Sequence, residues 1–263
     1  MTGPSEPAGW TTAWSLRLLG GWSLEQRGVP VPLHGRERRL LAVLALRGQV
    51  PRTALAGELW PDSPGARAHL SLRTAVHQLR HGAPGLLQGT PEHLSLDPAV
   101  VTDVGLLCRC TRGGVDPSAV RAPVAVLASG ALLPEWDDQW LAAPREHVEQ
   151  HRLAGLESEA ARRLDRGDPG TAAELAALAV AIDPLRETAH YLLVRALLAT
   201  GNRARAILAY RGLATTLGDE LGVSPSLSYD AVVAGGARRP PSPRPVAAAR
   251  ARPTPRARVR PGR

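Results

Sequence analysis

Short apolar runs broken by glycine open the chain: "SLRLLGGWSLEQRGVPVPL", residues 15–33, has Gly20-Gly21 and Gly28 as separators, which predicts a small antiparallel sheet. Helical spacing then takes over. "GRERRLLAVLALRG" (35–48) carries Leu40, Val43 and Leu44 on one side and ends on a glycine, and "RTALAGELW" (52–60) is stopped by Pro61, which has no amide hydrogen for the helical ladder. A third helix is expected at 64–81, with Ser63 as N-cap, Pro64 at the first helical position and Gly82 past the end. Ala68, Leu72, Ala75, Val76 and Leu79 form its apolar stripe. Arg67, Arg73, Thr74, His77 and His81 fall on the other side, with Arg80 at the border. "LLQGTPEHLSLD" (86–97) follows as a hairpin around a Gly-Thr-Pro turn.

The second half is helical and repeats itself. Set above one another, "LDRGDPGTAAELAALAVAIDP" (164–184) and "LATGNRARAILAYRGLATTLG" (198–218) align Leu164 with Leu198, Gly167 with Gly201 and Asp168 with Asn202, an offset of 34 residues. That is the tetratricopeptide period, in which small residues such as Ala172, Ala176 and Ala179 let antiparallel helices pack closely. Two such units are too few to stand alone, so helices within 103–152 are expected to complete the stack. "LLPEWDDQWL" (132–141) reads as the start of a helix, with Pro134 at its first position. Trp136 and Trp140 would share a face, and at least one of Glu135, Asp137 and Asp138 would cap the positive end.

Charge divides the chain into segments. Residues 238–263 hold nine arginines and no acid, and the rest carries 23 arginines against 24 acids. Within that remainder, 1–102 has ten arginines and seven acids, whereas 103–237 has thirteen and seventeen, so two domains of opposite sign are implied. The arginine- and proline-rich tail reads as disordered, either a weak phosphate-attracting arm or a solubilising extension.

Composition also bears on chemistry. There is no lysine, hence no Walker A lysine, Schiff-base lysine or Ser-x-x-Lys nucleophile. Cys108 and Cys110 make a lone C-x-C, too little for a disulfide framework or a zinc site. "HVEQH" sets His147 and His151 at i and i+4, half a zinc site, with its glutamate one place away from where a metalloprotease base would sit. No catalytic, metal or cofactor site is assigned. No signal-peptide pattern or membrane-length apolar stretch is present, and a cytoplasmic, nucleoid-associated protein is expected.

Sheet, three helices and hairpin, in that order, spell a winged helix-turn-helix. An α-helix fits the major groove of B-DNA, where arginine bonds guanine O6 and N7 while other arginines hold phosphates. In isolation the basic helix face would be a solvated surface; its place in the series makes it a DNA-reading one. A helical-repeat adaptor that binds protein and never touches DNA is the rival reading. It leaves the basic helix and hairpin unexplained.

With these elements in place, the chain resembles the SARP family of actinobacterial antibiotic-cluster activators over residues 14–234. The motifs that carry the resemblance are "LRLLGGWSLEQRGVPVPL", "RERRLLAVLAL", "LAGELWPD", "LRTAVHQLRH", "LLPEWDDQWL", "AIDPLRETAHYLLVRALLATGNRARAILAYRGL" and "DELGVSPS". It implies a mainly α protein with a small β component: a disordered 1–13, a winged-helix DNA-binding domain at 14–102, an all-α, tetratricopeptide-like bacterial transcriptional activator domain at 103–237, and the tail at 238–263. It further implies binding to direct repeats in double-stranded promoter DNA, as a homodimer or side-by-side protomers, and recruitment of RNA polymerase holoenzyme. Carried over, Arg73, Thr74 and His77 read bases, Arg67, Arg80 and His81 lie nearer the backbone, and Arg52 and His93 are lesser contacts. Gln78, where relatives often have a basic residue, and Leu70, pointing out of the polar face, are departures.

Overall fold

The computed structural model describes residues 14–111 and 121–234. The expectations for 1–13 and for the tail lie outside the described residues, as does the Cys110 side chain. Strands β1 (Trp14–Arg17), β2 (Ser23–Gln26) and β3 (Val29–Pro30) form the expected antiparallel meander. A fourth strand, far along the chain, completes the sheet in the order β3-β2-β1 and then Val100–Thr102, which runs parallel to β1.

Helix α1 spans Gly35–Arg47 and is started by Glu37, whose carboxylate accepts the His34 N–H at 2.9 Å; Gly48, at φ 75°, ends it. Two residues, Val50–Pro51, form β4 and lead straight into α2 (Arg52–Leu59). Helix α3 runs Gly65–Gly82, one residue later at both ends than expected. Pro64 is the cap residue rather than the first helical one: its ψ of 141° is extended, and its carbonyl takes the first helical bonds, from Arg67 and Ala68. Ser63 does not cap; its N–H closes a turn onto the Trp60 carbonyl. Strands β5 (Leu87–Gly89) and β6 (His93–Leu96) make the hairpin, which β4 extends to three strands in the order β4-β6-β5. The strand at Val100–Thr102 is β7.

Helices α4 (Asp103–Thr111) and α5 (Arg121–Leu127) pack on α6 (Ala142–Asp165), which begins the repeat stack. The stack continues with α7 (Pro169–Ile182), α8 (Glu187–Ala199) and α9 (Arg203–Leu221), and α10 (Tyr229–Ala234) closes onto α8. The 34-residue offset recurs in the hydrogen bonding. Asp168 accepts the Thr171 N–H and Asn202 the Arg205 N–H, while Gly167 and Gly201, at φ 75° and 77°, turn the chain out of the preceding helices. Ala172, Ala176 and Ala179 are fully buried, as close packing of the helix pairs requires.

The stretch 132–141 is not the start of a helix. Leu133 has φ 42°, Pro134 and Glu135 form a turn, and only Gln139–Leu141 coils, as a single 3-10 turn before α6. The Leu133 N–H is committed to the Leu18 carbonyl, which ties the stretch to the first half of the chain instead of to a helix of its own. Nor does any of its carboxylates cap: Asp138, at the cap position, makes no side-chain cap bond and pairs instead with Arg39 of α1 at 3.0 Å. Arg145 holds the stretch by donating to the Leu132 and Leu133 carbonyls.

One apolar core runs from Trp14 to Leu192, through the first sheet, the three helices, the hairpin and the first helices of the stack. Leucines such as Leu16, Leu40, Leu72, Leu94 and Leu127 are almost wholly buried in it, each contributing about 1.5–3 kcal/mol. The two halves are also joined through the backbone. Leu19 and Leu132 form an antiparallel bridge, Leu133 donates its N–H to the Leu18 carbonyl and Gly20 donates to the Ala131 carbonyl, both at 2.8 Å. This approach needs a glycine, because a Cβ on Gly130 would stand 2.8 Å from the Gly20 Cα.

Candidate nucleic-acid interface

Helix α3 buries the expected stripe of Ala68, Leu72, Ala75, Val76 and Leu79 against the core, so its opposite face is fixed toward solvent. Arg67, Arg73, Thr74, His77, Arg80 and His81 are all exposed there. At about 100° per residue, Leu70, Thr74, His77 and His81 lie along the centre of that face, opposite the buried stripe. Arg67 flanks them on one side, and Arg73 and Arg80 on the other.

The centre line is locally ordered. Thr74 Oγ1 donates to the Leu70 carbonyl at 3.0 Å, the His77 and His81 rings lie 4.1 Å apart, and His81 Nδ1 sits 3.0 Å from the His77 carbonyl. These contacts tie His81 back onto its own helix and leave His77 and the Thr74 oxygen lone pairs turned outward.

Arg52 ties α2 to the hairpin. Its N–H donates to the Glu92 carbonyl at 2.8 Å, its Nε donates to the Thr90 carbonyl at 3.1 Å, and the preceding Pro51 pairs with His93 across the β4–β6 ladder. His93 is half-buried at the first position of β6, where the chain leaves the hairpin turn, and it lies across the ladder from Pro51, next to Arg52. The tip is shaped by Thr90, whose hydroxyl accepts the N–H groups of Glu92 and His93. The exposed Glu92 puts an acid there, so the cationic surface is centred on the helices and not on the tip.

Three guanidinium groups converge beside α3. Arg52 titrates below its ordinary value, first through partial burial and then through the like charges of Arg80 and Arg73. No ion pair to an acid is formed by Arg52, Arg67, Arg73 or Arg80 among the described residues, whereas Arg39 and Arg47 at α1 are each matched to a carboxylate. Cations gathered without counter-charge form a site for a polyanion. Sequence reasoning places these residues on one face but misses the tether of Arg52 to the hairpin, which depends on the two-residue strand β4.

Elsewhere, among the described residues, no group of three or more histidine, cysteine or acidic side chains is placed to hold a metal ion. His147 and His151 have their Nε2 atoms 3.1 Å apart on α6. No described helix is long and apolar enough to cross a membrane.

The profile described as "Bacterial transcriptional activator domain" matches residues 125–234. "Regulatory protein DnrI" of Streptomyces peucetius is 30% identical over 240 residues, which cover 80% of this chain and 87% of that protein. "Regulatory protein AfsR" of Streptomyces coelicolor is 33% identical over 213 residues, 72% of this chain but only 20% of that much longer relative. In "Mycobacterium tuberculosis EmbR in complex with low affinity phosphopeptide", a solved structure 24% identical in sequence, the fold superposes with a TM-score of 0.68 over 86% of this chain and 65% of that one.

Fold and relatives together define a transcriptional regulator built from a winged helix-turn-helix and a tetratricopeptide-like activator domain. The chain belongs to the SARP family of regulators.

Proposed function

We propose that this chain binds double-stranded promoter DNA in a sequence-specific way and activates a specialised-metabolite, antibiotic-type gene cluster. Side-by-side protomers occupy direct repeats and recruit RNA polymerase holoenzyme, with residues 14–102 reading DNA and residues 103–237 forming the activator domain. The setting is the cytoplasm, on the nucleoid.

The observation that carries the reading is the exposed basic face of α3, where Arg73 and Arg80 stand near Arg52 of α2 and, among the described residues, none of the three is paired with an acid. An adaptor that never meets DNA has no use for such a face, since uncompensated like charges repel one another in the free protein. Arg73, Thr74 and His77 contact base edges; Arg67, Arg80 and His81 lie nearer the phosphates; Arg52 and His93 support them from α2 and the hairpin. Gel shift on the promoters adjoining its own gene, titrated with salt, tests the reading. A sequence-dependent shift that weakens steeply with salt is expected, because each neutralised phosphate releases counterions. Binding that is absent, or equal for every duplex, would rule out sequence-specific recognition.

A further inference from the structure

One exposed position on the centre of the candidate DNA face is apolar. Leu70 is 62% exposed, whereas the other leucines of its helix, Leu72 and Leu79, are almost completely buried. It lies opposite that buried stripe, one turn before Thr74 and two before His77, with Arg67 on one flank and Arg73 on the other. It is the sixth residue of α3, in the half of a recognition helix whose side chains reach base edges. Its backbone is fixed there, since its carbonyl accepts the Thr74 hydroxyl at 3.0 Å.

Water gains nothing from a leucine at this position, and phosphates cannot use one. The floor of the major groove offers one apolar feature among its donors and acceptors, the C5-methyl group of thymine. We propose that Leu70 is a specificity-determining residue that packs its isobutyl group on a thymine methyl, so that each protomer requires a thymine at one position of its repeat. The flanking arginines then set the depth of the helix in the groove, and Leu70 rejects cytosine, which offers no methyl at the equivalent place. This rests on the DNA-reading function proposed above.

The test uses the full chain and duplexes enriched from a randomised double-stranded library. Each thymine of the enriched site is replaced singly by deoxyuridine, which keeps the base pair and deletes only the methyl. For the unmodified protein, one replacement per repeat should weaken binding about fourfold, the worth of one buried methyl group. In Leu70→Ala that penalty should vanish while penalties at other thymines persist.

Two results would overturn the proposal while leaving DNA reading intact. One is an enriched site at which Leu70→Ala erases no deoxyuridine penalty. The other is a Leu70→Ala protein that binds every duplex more weakly by one common factor, which would place Leu70 against a second protomer. A library that enriches no sequence would overturn the DNA-reading function itself, and this proposal with it.

Discussion

Trp22 stacks on Trp136, with ring centroids 5.8 Å apart and planes inclined by 20°. The first indole lies in the β1–β2 turn and the second in the segment that leads to the helical stack, so the pair bridges the two halves of the chain. Arg38 of α1 adds its guanidinium 6.0 Å from the Trp22 ring centroid. Such a pair contributes about 0.5–1.5 kcal/mol beyond its burial. Trp22→Ala and Trp136→Ala should therefore show a coupling of that size in a double-mutant cycle followed by urea unfolding. A coupling near zero would mean that the stack contributes only buried area.

Asp103 carries a second bridge. One of its carboxylate oxygens accepts the N–H groups of Leu18 and Leu19 at 2.8 and 2.7 Å, and the other accepts the Val104 N–H, in a buried setting. Asp103→Ala strands buried amides, each at a cost of about 1–3 kcal/mol. Asp103→Asn retains one acceptor oxygen and should fall between. Equal stability of Asp103→Ala and the parent in chemical denaturation would show that water replaces the carboxylate.

Arg73 and Arg80 stand on the same flank of α3, yet their losses should differ. Arg80→Ala is expected to weaken all duplexes alike and lower the salt slope by about one. Arg73→Ala is expected to cost about 1–3 kcal/mol at a single operator position and to relax preference there. Competition binding against single-base operator variants separates the two. Uniform weakening by Arg73→Ala would assign it to phosphate as well.

Glu187 makes the stack sensitive to acid. Burial alone opposes its ionisation, but hydrogen bonds from the Tyr191 hydroxyl and from the backbone and hydroxyl of Ser226 outweigh it and hold the carboxyl below its ordinary value of 4.5. A carboxyl depressed in the folded state adds stability that is complete above about pH 4.5 and is lost as pH falls through the lower folded value. The parent should lose stability over that range, and Glu187→Gln should lose less. Unfolding midpoints measured across acidic pH check this; parallel profiles would remove Glu187 from the account.

Much of this architecture is legible from spacing alone. The buried stripe of α3 follows from its period, and the equivalence of Asp168 with Asn202 follows from the 34-residue offset, because both are local patterns that recur in the chain. What escaped is non-local. Neither β4 nor β7 has the length of an independent strand; Val50–Pro51 becomes one only because β6 lies beside it, and Val100–Thr102 only because β1 does. The helical reading of 132–141 fails for a related reason. Trp136 is placed by the Trp22 ring and by Arg145, not by a helix of its own. At the candidate interface, the exposed face of α3 is readable residue by residue, whereas the junction of Arg52 with the hairpin appears only when the three-stranded sheet is assembled.

The bridge between Leu19 and Leu132 bears on how such regulators can be recombined. A chimera cut after Thr102 would take the first sheet away from the backbone that pairs with it, and from the Asp103 carboxylate that caps its loop. To carry the binding preference of this chain onto another member of its family, the graft should include residues 103–138, so that the transplanted half arrives with its own seam.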